Sequence, residues 1–246
     1  YTGSATILSE WVAFLCSFVV GSGFFYLGWK LGERLKIYWL LRLYIFAERW
    51  ANTGDCGLEA RLDDFADEIQ NELTTMDQAS TDEVLVVAHS VGVMLVVPVI
   101  AALVKRGVDT SRLNVLTLGH CVPVISVLPS AQFYRDFQGH AQHFEGNWFD
   151  VGAVMDGACF YQVNPLTNSR QSRMPVKSYT ARFHTLFNPQ TYRRLRRNWY
   201  AMHFQYLSAT ERPGLMDYFA ITAGVERLAE RFARYPENKL FKDSNV

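Results

Sequence analysis

The chain has 246 residues, with 24 acidic and 24 basic side chains and 49% hydrophobic residues. This length suits one α/β domain with a substantial core, but not two. The zero net charge gives no argument for nucleic-acid binding, and no nucleic-acid-binding motif is present. The four cysteines are widely spaced and form no C-x-x-C pair, so we expect no disulfide, metal or cofactor and a reducing compartment.

The first predicted element is a membrane span over residues 11–29, which carry no charge. A helix of this length covers about 30 Å, the thickness of a bilayer core. Trp11 and Trp29 suit the two interfaces, and Lys30 follows at once. A buried core helix is the alternative. A signal peptide fits less well, because the basic residues follow the apolar run instead of preceding it.

Residues 37–50 are also apolar, but they are too short to span and contain Arg42. They predict an interfacial helix or the second arm of a shallow hairpin. We therefore expect a membrane-associated helical segment over residues 1–50. Residues 51–246 should form the α/β domain, on the cytoplasmic side of the membrane.

Apolar residues recur every three or four positions over 58–75, which predicts an amphipathic helix. An apolar run over 83–88 predicts a buried strand. The stretch from 91 to about 105 predicts an apolar helix that Pro98 kinks or limits. A second buried strand follows at 113–118. Strand, helix and strand at this spacing predict a crossover in a parallel sheet.

The remaining elements are less regular. Residues 123–146 have little periodicity and predict a surface excursion. A third strand is expected over 148–154, a helix over 188–208, and a final amphipathic helix over 214–235. The predicted fold class is α/β, with a mostly parallel sheet flanked by helices.

The most informative motif is residues 84–92, Val-Leu-Val-Val-Ala-His-Ser-Val-Gly, in which a strand gives way to a helix at Ser90. The small residues at 88 and 92 predict a strained turn with no room for larger side chains. Such a turn aims the Val91 N–H at the oxygen of a substrate bound to Ser90. The segment resembles the nucleophile motif G-x-S-x-G of the α/β-hydrolase superfamily, with Ala88 in place of the first glycine.

The resemblance implies a catalytic triad in the chain order serine, acid, histidine. Asp156 is the predicted acid, because it follows a strand at the carboxyl edge, where open α/β sheets place their sites. The segment Trp148–Gly157 also resembles the acid-bearing strand of lipase-like members. Asp150, in the middle of that strand, is the alternative.

His203 is the predicted base, since lipase-like hydrolases often carry a late histidine followed by an aromatic residue, here Tyr206. The alternatives are His184 and the pair His140 and His143, which precede the acid. Two further histidines are candidates for the wall of a substrate pocket: His89, for which packing is the alternative role, and His120.

The chemistry also needs a second oxyanion donor, which the superfamily takes from a loop after an earlier strand. We find no strand ahead of the one predicted over 83–88, and Thr2-Gly3-Ser4 is the sole small-residue turn in that region. The chain begins with Tyr1 instead of methionine. We therefore expect either that Thr2–Ser4 supply a substitute donor, or that early strands lie upstream in a longer protein.

The distribution of basic residues indicates the class of substrate and partner. Residues 157–210 hold eight Arg or Lys and no Asp or Glu, and the belt at 170–197 predicts contact with anionic lipid or simply a solvated helix face. The leading interpretation is a membrane-associated serine hydrolase that cleaves lipid or other acyl esters, although thioesterases and peptidases use the same triad. The alternative is a non-catalytic membrane scaffold or binding protein. A transporter is disfavoured by the single convincing span.

Overall fold

The computed structural model describes residues 2–75, 83–168 and 176–238, with side chains from residue 10 onward. The chain divides into two compact units, Tyr1–Ile45 and Phe46–Val246. The second unit belongs to the α/β class and contains a four-stranded parallel sheet. Part of the predicted basic belt, residues 170–175, lies outside the described residues.

The first unit contains helix α1 (Thr2–Arg34) and the beginning of helix α2 (Ile37–Thr53). Within the described part of the chain, Glu10–Arg34 is long and apolar enough to cross a membrane, with a mean hydropathy of 1.7. A signal sequence near an N-terminus has the same composition. Thr2–Ser4 form the first turn of α1, so the small-residue loop expected there is wrong.

The sheet has the strand order β1 (Val84–His89), β2 (Leu113–Leu118), β3 (Asn147–Gly152) and β4 (Val176–Thr180). Neighbouring strands are parallel throughout. The three predicted strands are therefore confirmed, as is the parallel sheet. Within the described residues β1 pairs with β2 alone, so it forms one edge of the sheet.

Strand β4 was not predicted, because its sequence Val-Lys-Ser-Tyr-Thr has no apolar run. Its polar side chains have protein partners instead. Lys177 donates to the Asn147 side chain at 2.9 Å, and the Asn238 side chain donates to Ser178 Oγ at 2.9 Å. These bonds remove most of the cost of burying polar groups at this end of the sheet.

One face of the sheet is covered by α3 (Glu59–Thr75), which was predicted, and α4 (Gly92–Lys105). Helix α4 continues through Pro98, so the proline does not end it. Pro98 has no N–H to bond the Met94 carbonyl one turn earlier. The buried hydroxyl of Tyr134 donates to that carbonyl instead, at 3.0 Å.

The prediction of a surface excursion over 123–146 is wrong. This stretch forms α5 (Pro123–Ser126) and α6 (Gln132–Ala141), and α6 packs beside α4. Helix α6 buries Gln138, whose amide donates to the Pro165 carbonyl at 2.7 Å. A buried polar residue in the middle of a short helix hides the apolar periodicity that sequence patterns rely on.

The end of α2 belongs to the second unit. Trp50 is 2% exposed, and its ring packs edge-on against Tyr134 at a centroid distance of 5.3 Å. The expectation of an interfacial helix is therefore wrong for this end of α2, because its tryptophan is buried in protein.

The opposite face of the sheet is covered by short helices, whose buried residues share one apolar cluster with β2, β3 and β4. The predicted continuous helices over 188–208 and 214–235 are wrong. Asn198 and Asp217 each accept a backbone N–H three residues later and start new helices inside these stretches. The elements are α7 (Phe183–Leu186), α8 (Pro189–Leu195), α9 (Trp199–His203), a 3₁₀ turn (Gln205–Leu207), α10 (Tyr218–Thr222) and α11 (Leu228–Ala233).

Candidate active site

Ser90 occupies the turn between β1 and α4. Its φ of +57° is in the left-handed region, which costs a non-glycine residue about 1–2 kcal/mol. The turn is held at both ends: the Ser90 N–H donates to the Leu118 carbonyl at 2.9 Å, and the Val93 N–H donates to the Ser90 carbonyl at 3.2 Å. A side chain in a strained, anchored turn of this kind has a fixed direction.

The small residues around Ser90 are less constrained than expected. A Cβ added to Gly92 would lie 3.9 Å from the Cβ of Ala88, which is an ordinary van der Waals contact. The prediction that residue 92 leaves no room for a side chain is therefore wrong for a methyl group.

Ser90, His203 and Asp156 form one hydrogen-bonded chain. His203 Nε2 lies 2.8 Å from Ser90 Oγ, and Nδ1 lies 2.9 and 3.0 Å from the two Asp156 carboxylate oxygens. A carboxylate only accepts, so Nδ1 carries the proton and Nε2 accepts from the serine hydroxyl. The exposed fractions are 6%, 0% and 3%. The arrangement therefore holds a hydroxyl, an imidazole and a carboxylate in contact, shielded from water.

The Asp156 carboxylate has a further donor, the Ala158 N–H, which donates to Oδ1 at 3.0 Å. The Tyr206 hydroxyl donates to the Cys159 thiol at 3.9 Å. Burial raises the pKa of Tyr206 well above its usual value, so the hydroxyl keeps its proton. The Ala158 bond helps to hold the carboxylate beside His203.

Gly119 makes this arrangement possible. It directly follows β2 with a φ of +53°, and a Cβ added there would lie 2.7 Å from the Tyr206 ring and 3.1 Å from Asp156 Oδ2. Real Cβ contacts are essentially never shorter than 3.0 Å. Any larger residue at 119 would therefore displace the tyrosine and the carboxylate together.

His89 lies behind His203. Its Nε2 donates to the His203 carbonyl at 2.8 Å, and the two rings lie 4.7 Å apart between centroids. Burial and the neighbouring His203 lower the pKa of His89 from 6.5 to about 4, so the ring is neutral near pH 7. The contacts are those of a packing residue, and a role for His89 in a substrate pocket stays a prediction.

Two groups lie beside the Ser90 hydroxyl. The Cys121 thiol lies near the Ser90 side chain, and burial raises the pKa of this thiol to about 12, so it is neutral. Val91 follows Ser90 at the start of α4, and among the described residues its N–H donates to no protein acceptor. A free amide at this position is what an oxyanion donor requires. The sequence did not single out Cys121 as a neighbour of Ser90.

Asp150 and His120, two other predicted candidates, lie in a separate buried cluster. Asp150 accepts from the Thr117 hydroxyl at 2.7 Å and lies 3.9 Å from His120 Nε2. Burial raises the pKa of this carboxyl. His120 Nε2 donates to the Val163 carbonyl at 2.7 Å. Of the two candidate acids, Asp156 contacts His203 and Asp150 does not. A role for His120 in a substrate pocket stays a prediction.

The three alternative bases lie elsewhere. His184, in α7, is exposed and its ring packs edge-on against Tyr192. His140 and His143 are exposed at the end of α6. Of the predicted bases, the one in contact with Ser90 is His203.

Comparison of this chain with protein-family models, with curated proteins and with solved structures found no match. The resemblance to the α/β-hydrolase superfamily therefore depends on the motif around Ser90 and on the order of its partners.

Sequence reasoning missed two contributors to the site. Tyr206 was noted only as an aromatic neighbour of the histidine, and its close packing at Gly119 beside Asp156 was not foreseen. Gly119 had a signal, since a glycine directly after a buried strand often marks a close approach. The identity of the atoms that approach it was not readable from the sequence.

Proposed function

We propose that this protein is a membrane-associated serine hydrolase of the α/β-hydrolase type, which cleaves acyl esters through an acyl-enzyme intermediate. The observation that carries the proposal is the continuous chain of hydrogen bonds from Ser90 through His203 to Asp156. Serine needs such a base to attack a carbonyl at neutral pH, and the base needs an orienting carboxylate.

The reaction divides into two steps. Ser90 Oγ attacks the ester carbonyl while His203 Nε2 takes the hydroxyl proton, and the Val91 N–H donates to the developing oxyanion. The proton then passes from Nε2 to the alcohol, which leaves, and Ser90 remains acylated. Water repeats the sequence: Nε2 takes its proton, the hydroxide oxygen bonds to the acyl carbon, and Ser90 recovers its hydrogen as the acid departs.

The environment of the triad suits this chemistry. Asp156 stabilises the imidazolium that forms when His203 takes the proton, and burial strengthens that interaction. The left-handed turn fixes the Ser90 hydroxyl against Nε2. The candidate span at Glu10–Arg34 favours a substrate that resides in or at a membrane.

A non-catalytic membrane scaffold or binding protein is the second candidate. The observation that favours it is the 6% exposure of Ser90, because an acyl group reaches so buried a hydroxyl only after neighbouring side chains move. Only a hydrolase turns over an ester substrate, so a measurement of ester turnover distinguishes the two candidates.

The test is hydrolysis of a short-chain nitrophenyl ester by the full chain in detergent. Ser90→Ala, His203→Ala and Asp156→Asn should each lower kcat/KM by about 10³-fold or more. His140→Ala is the matched control, since this histidine is exposed in the last turn of α6, and it should leave the rate unchanged. Equal rates for wild type and Ser90→Ala would favour the scaffold.

A further inference from the structure

Two apolar side chains are exposed in the turn that follows β3. Val154 is 70% exposed and Met155 is 47% exposed, and both directly precede Asp156. Single exposed apolar residues are common, so the exposure of these two side chains alone does not indicate a binding surface. The residues around them do indicate one.

The two residues form part of the wall of a cavity of about 110 Å³ at the carboxyl ends of β3 and β4. The cavity combines an apolar wall with Arg182 and His184. Arg182 is exposed, and across the described ranges its guanidinium has no hydrogen-bond or ion-pair partner. The lining residues are Ala153, Val154, Met155, Thr180, Arg182, Phe183, His184 and Tyr192.

The local charge favours an anion in this cavity. Residues 157–210 contain no acidic side chain, so no carboxylate of that stretch competes for Arg182. The next acid, Glu211, already accepts from the Asn188 N–H at 2.6 Å and from the Thr191 hydroxyl at 2.7 Å. Arg182 is therefore available to an external anion.

We propose that Val154, Met155, Arg182 and His184, here called the docking surface, bind the surface of an anionic phospholipid membrane. Arg182 pairs with a headgroup phosphate, while Val154 and Met155 enter the boundary between headgroups and acyl chains. A bilayer supplies both chemistries side by side. The same chain also contains a candidate membrane span at Glu10–Arg34. The proposal deepens the proposed function and rests on it for the nature of the substrate.

Docking at this surface has a direct connection to the triad. The Asp156 N–H donates to the Ala153 carbonyl at 3.0 Å, so the turn that carries the exposed pair also carries the acid. Membrane contact at Val154 and Met155 therefore acts on the segment that positions Asp156.

The first test compares two rates for the full chain in vesicles of phosphatidylcholine and phosphatidylglycerol: turnover of a vesicle-embedded acyl ester and turnover of a soluble short-chain ester. Val154→Asp and Arg182→Glu should each lower the ratio of the two rates about tenfold, from the lost apolar and charge contributions. The matched controls are Val225→Asp and Arg61→Glu, which should leave the ratio unchanged. Val225 is fully exposed and lies near Leu228, whose N–H bonds Glu83 at the opposite edge of the sheet. An unchanged ratio for both docking variants would overturn the docking surface and leave the proposed function standing.

The second test does not need activity. Hydrogen–deuterium exchange of full-length Ser90→Ala should show slower exchange at residues 153–155 and 182–184 in nanodiscs with phosphatidylglycerol than in phosphatidylcholine alone. Equal exchange in the two lipids would overturn the docking surface. The same protection from inorganic phosphate would also overturn it, because the cavity would then be a free-anion site. If the wild type hydrolyses neither ester but the lipid-dependent protection is present, the proposed function fails and the docking surface stands.

Discussion

Gly119→Ala tests how tightly the acid of the site is held. The added Cβ would lie 2.7 Å from the Tyr206 ring and 3.1 Å from Asp156 Oδ2. The ring must retreat by roughly 1 Å to reach an ordinary contact. Asp156 Oδ2 is also closer to the added Cβ than an ordinary contact allows, so the carboxylate must shift as well. We expect a misplacement of this size at the proposed acid to lower kcat by about 10²-fold. Complete loss of the acid's function would lower kcat by about 10⁴-fold, which is the upper limit.

The stability cost of this substitution has two parts. An alanine with positive φ costs about 1–2 kcal/mol, and overpacking adds about 1–3 kcal/mol. Gly107→Ala is the matched control, since Gly107 has a φ of +68° and nothing within 4 Å of an added Cβ. It should show the backbone cost alone, with unchanged turnover.

The measurement is urea unfolding and ester turnover of both variants beside wild type. Equal unfolding free energies for the two variants, or normal turnover in Gly119→Ala, would refute the close approach of Tyr206 and Asp156 to this glycine.

Three further predictions test other contacts. Tyr206→Phe keeps the ring beside Gly119 and removes the hydroxyl that donates to the Cys159 thiol, so it should lower the unfolding free energy by about 1 kcal/mol or less with little change in turnover. His89→Gln keeps a donor but does not titrate, so it should flatten the pH dependence of the unfolding free energy between pH 6.5 and 4. In that range the unfolded chain binds a proton that the folded protein excludes. The unfolding free energy of wild type therefore decreases as the pH is lowered, by at most about 3 kcal/mol. Tyr134→Phe should lower the unfolding free energy by about 1–3 kcal/mol, and by less in a Pro98→Ala background, where a restored N–H bonds the free carbonyl.

Each of these predictions can fail separately. A loss of turnover of about tenfold or more in Tyr206→Phe would show that its hydroxyl bonds Asp156 and not Cys159 alone. An unchanged pH slope of stability would mean that His89 is not a neutral buried ring. A strictly additive double-mutant cycle would show that Tyr134 does not replace the bond that Pro98 removes.

The strands that position Ser90 were predictable because the local signal agrees with the tertiary environment. Residues 113–118 are fully buried in the structure, and their sequence is a continuous apolar run apart from Asn114 and Thr117. Strand β4 is the opposite case. Its burial depends on Lys177 and Ser178 finding partners at Asn147 and Asn238, and no local pattern reports such distant bonds.

The helices of the C-terminal third failed for a related reason. An apolar repeat over 188–208 predicts one helix, but a repeat does not reveal where side-chain caps divide it. Asn198 accepts the Ala201 N–H and begins a new helix, which ends at His203. Because this short helix ends at His203, the histidine lies at the carboxyl edge of the sheet. One continuous helix over 188–208 does not explain that position.

The partners of Ser90 came from the resemblance to a family and not from local physics. Asp156 and His203 are separated by 47 residues and their contact depends on the whole second unit. The sequence motif itself supplies the strand-to-helix turn, whose left-handed serine the structure contains. Chemistry at this turn is the central hypothesis.

Labelling with a fluorophosphonate, followed by intact mass and peptide mapping, tests that hypothesis most directly. We expect one phosphonyl adduct on the folded protein, located on Ser90, with no adduct on Ser90→Ala and at least about 10³-fold slower labelling of His203→Ala. An unlabelled folded wild-type protein, or equal labelling of wild type and Ser90→Ala, would contradict it.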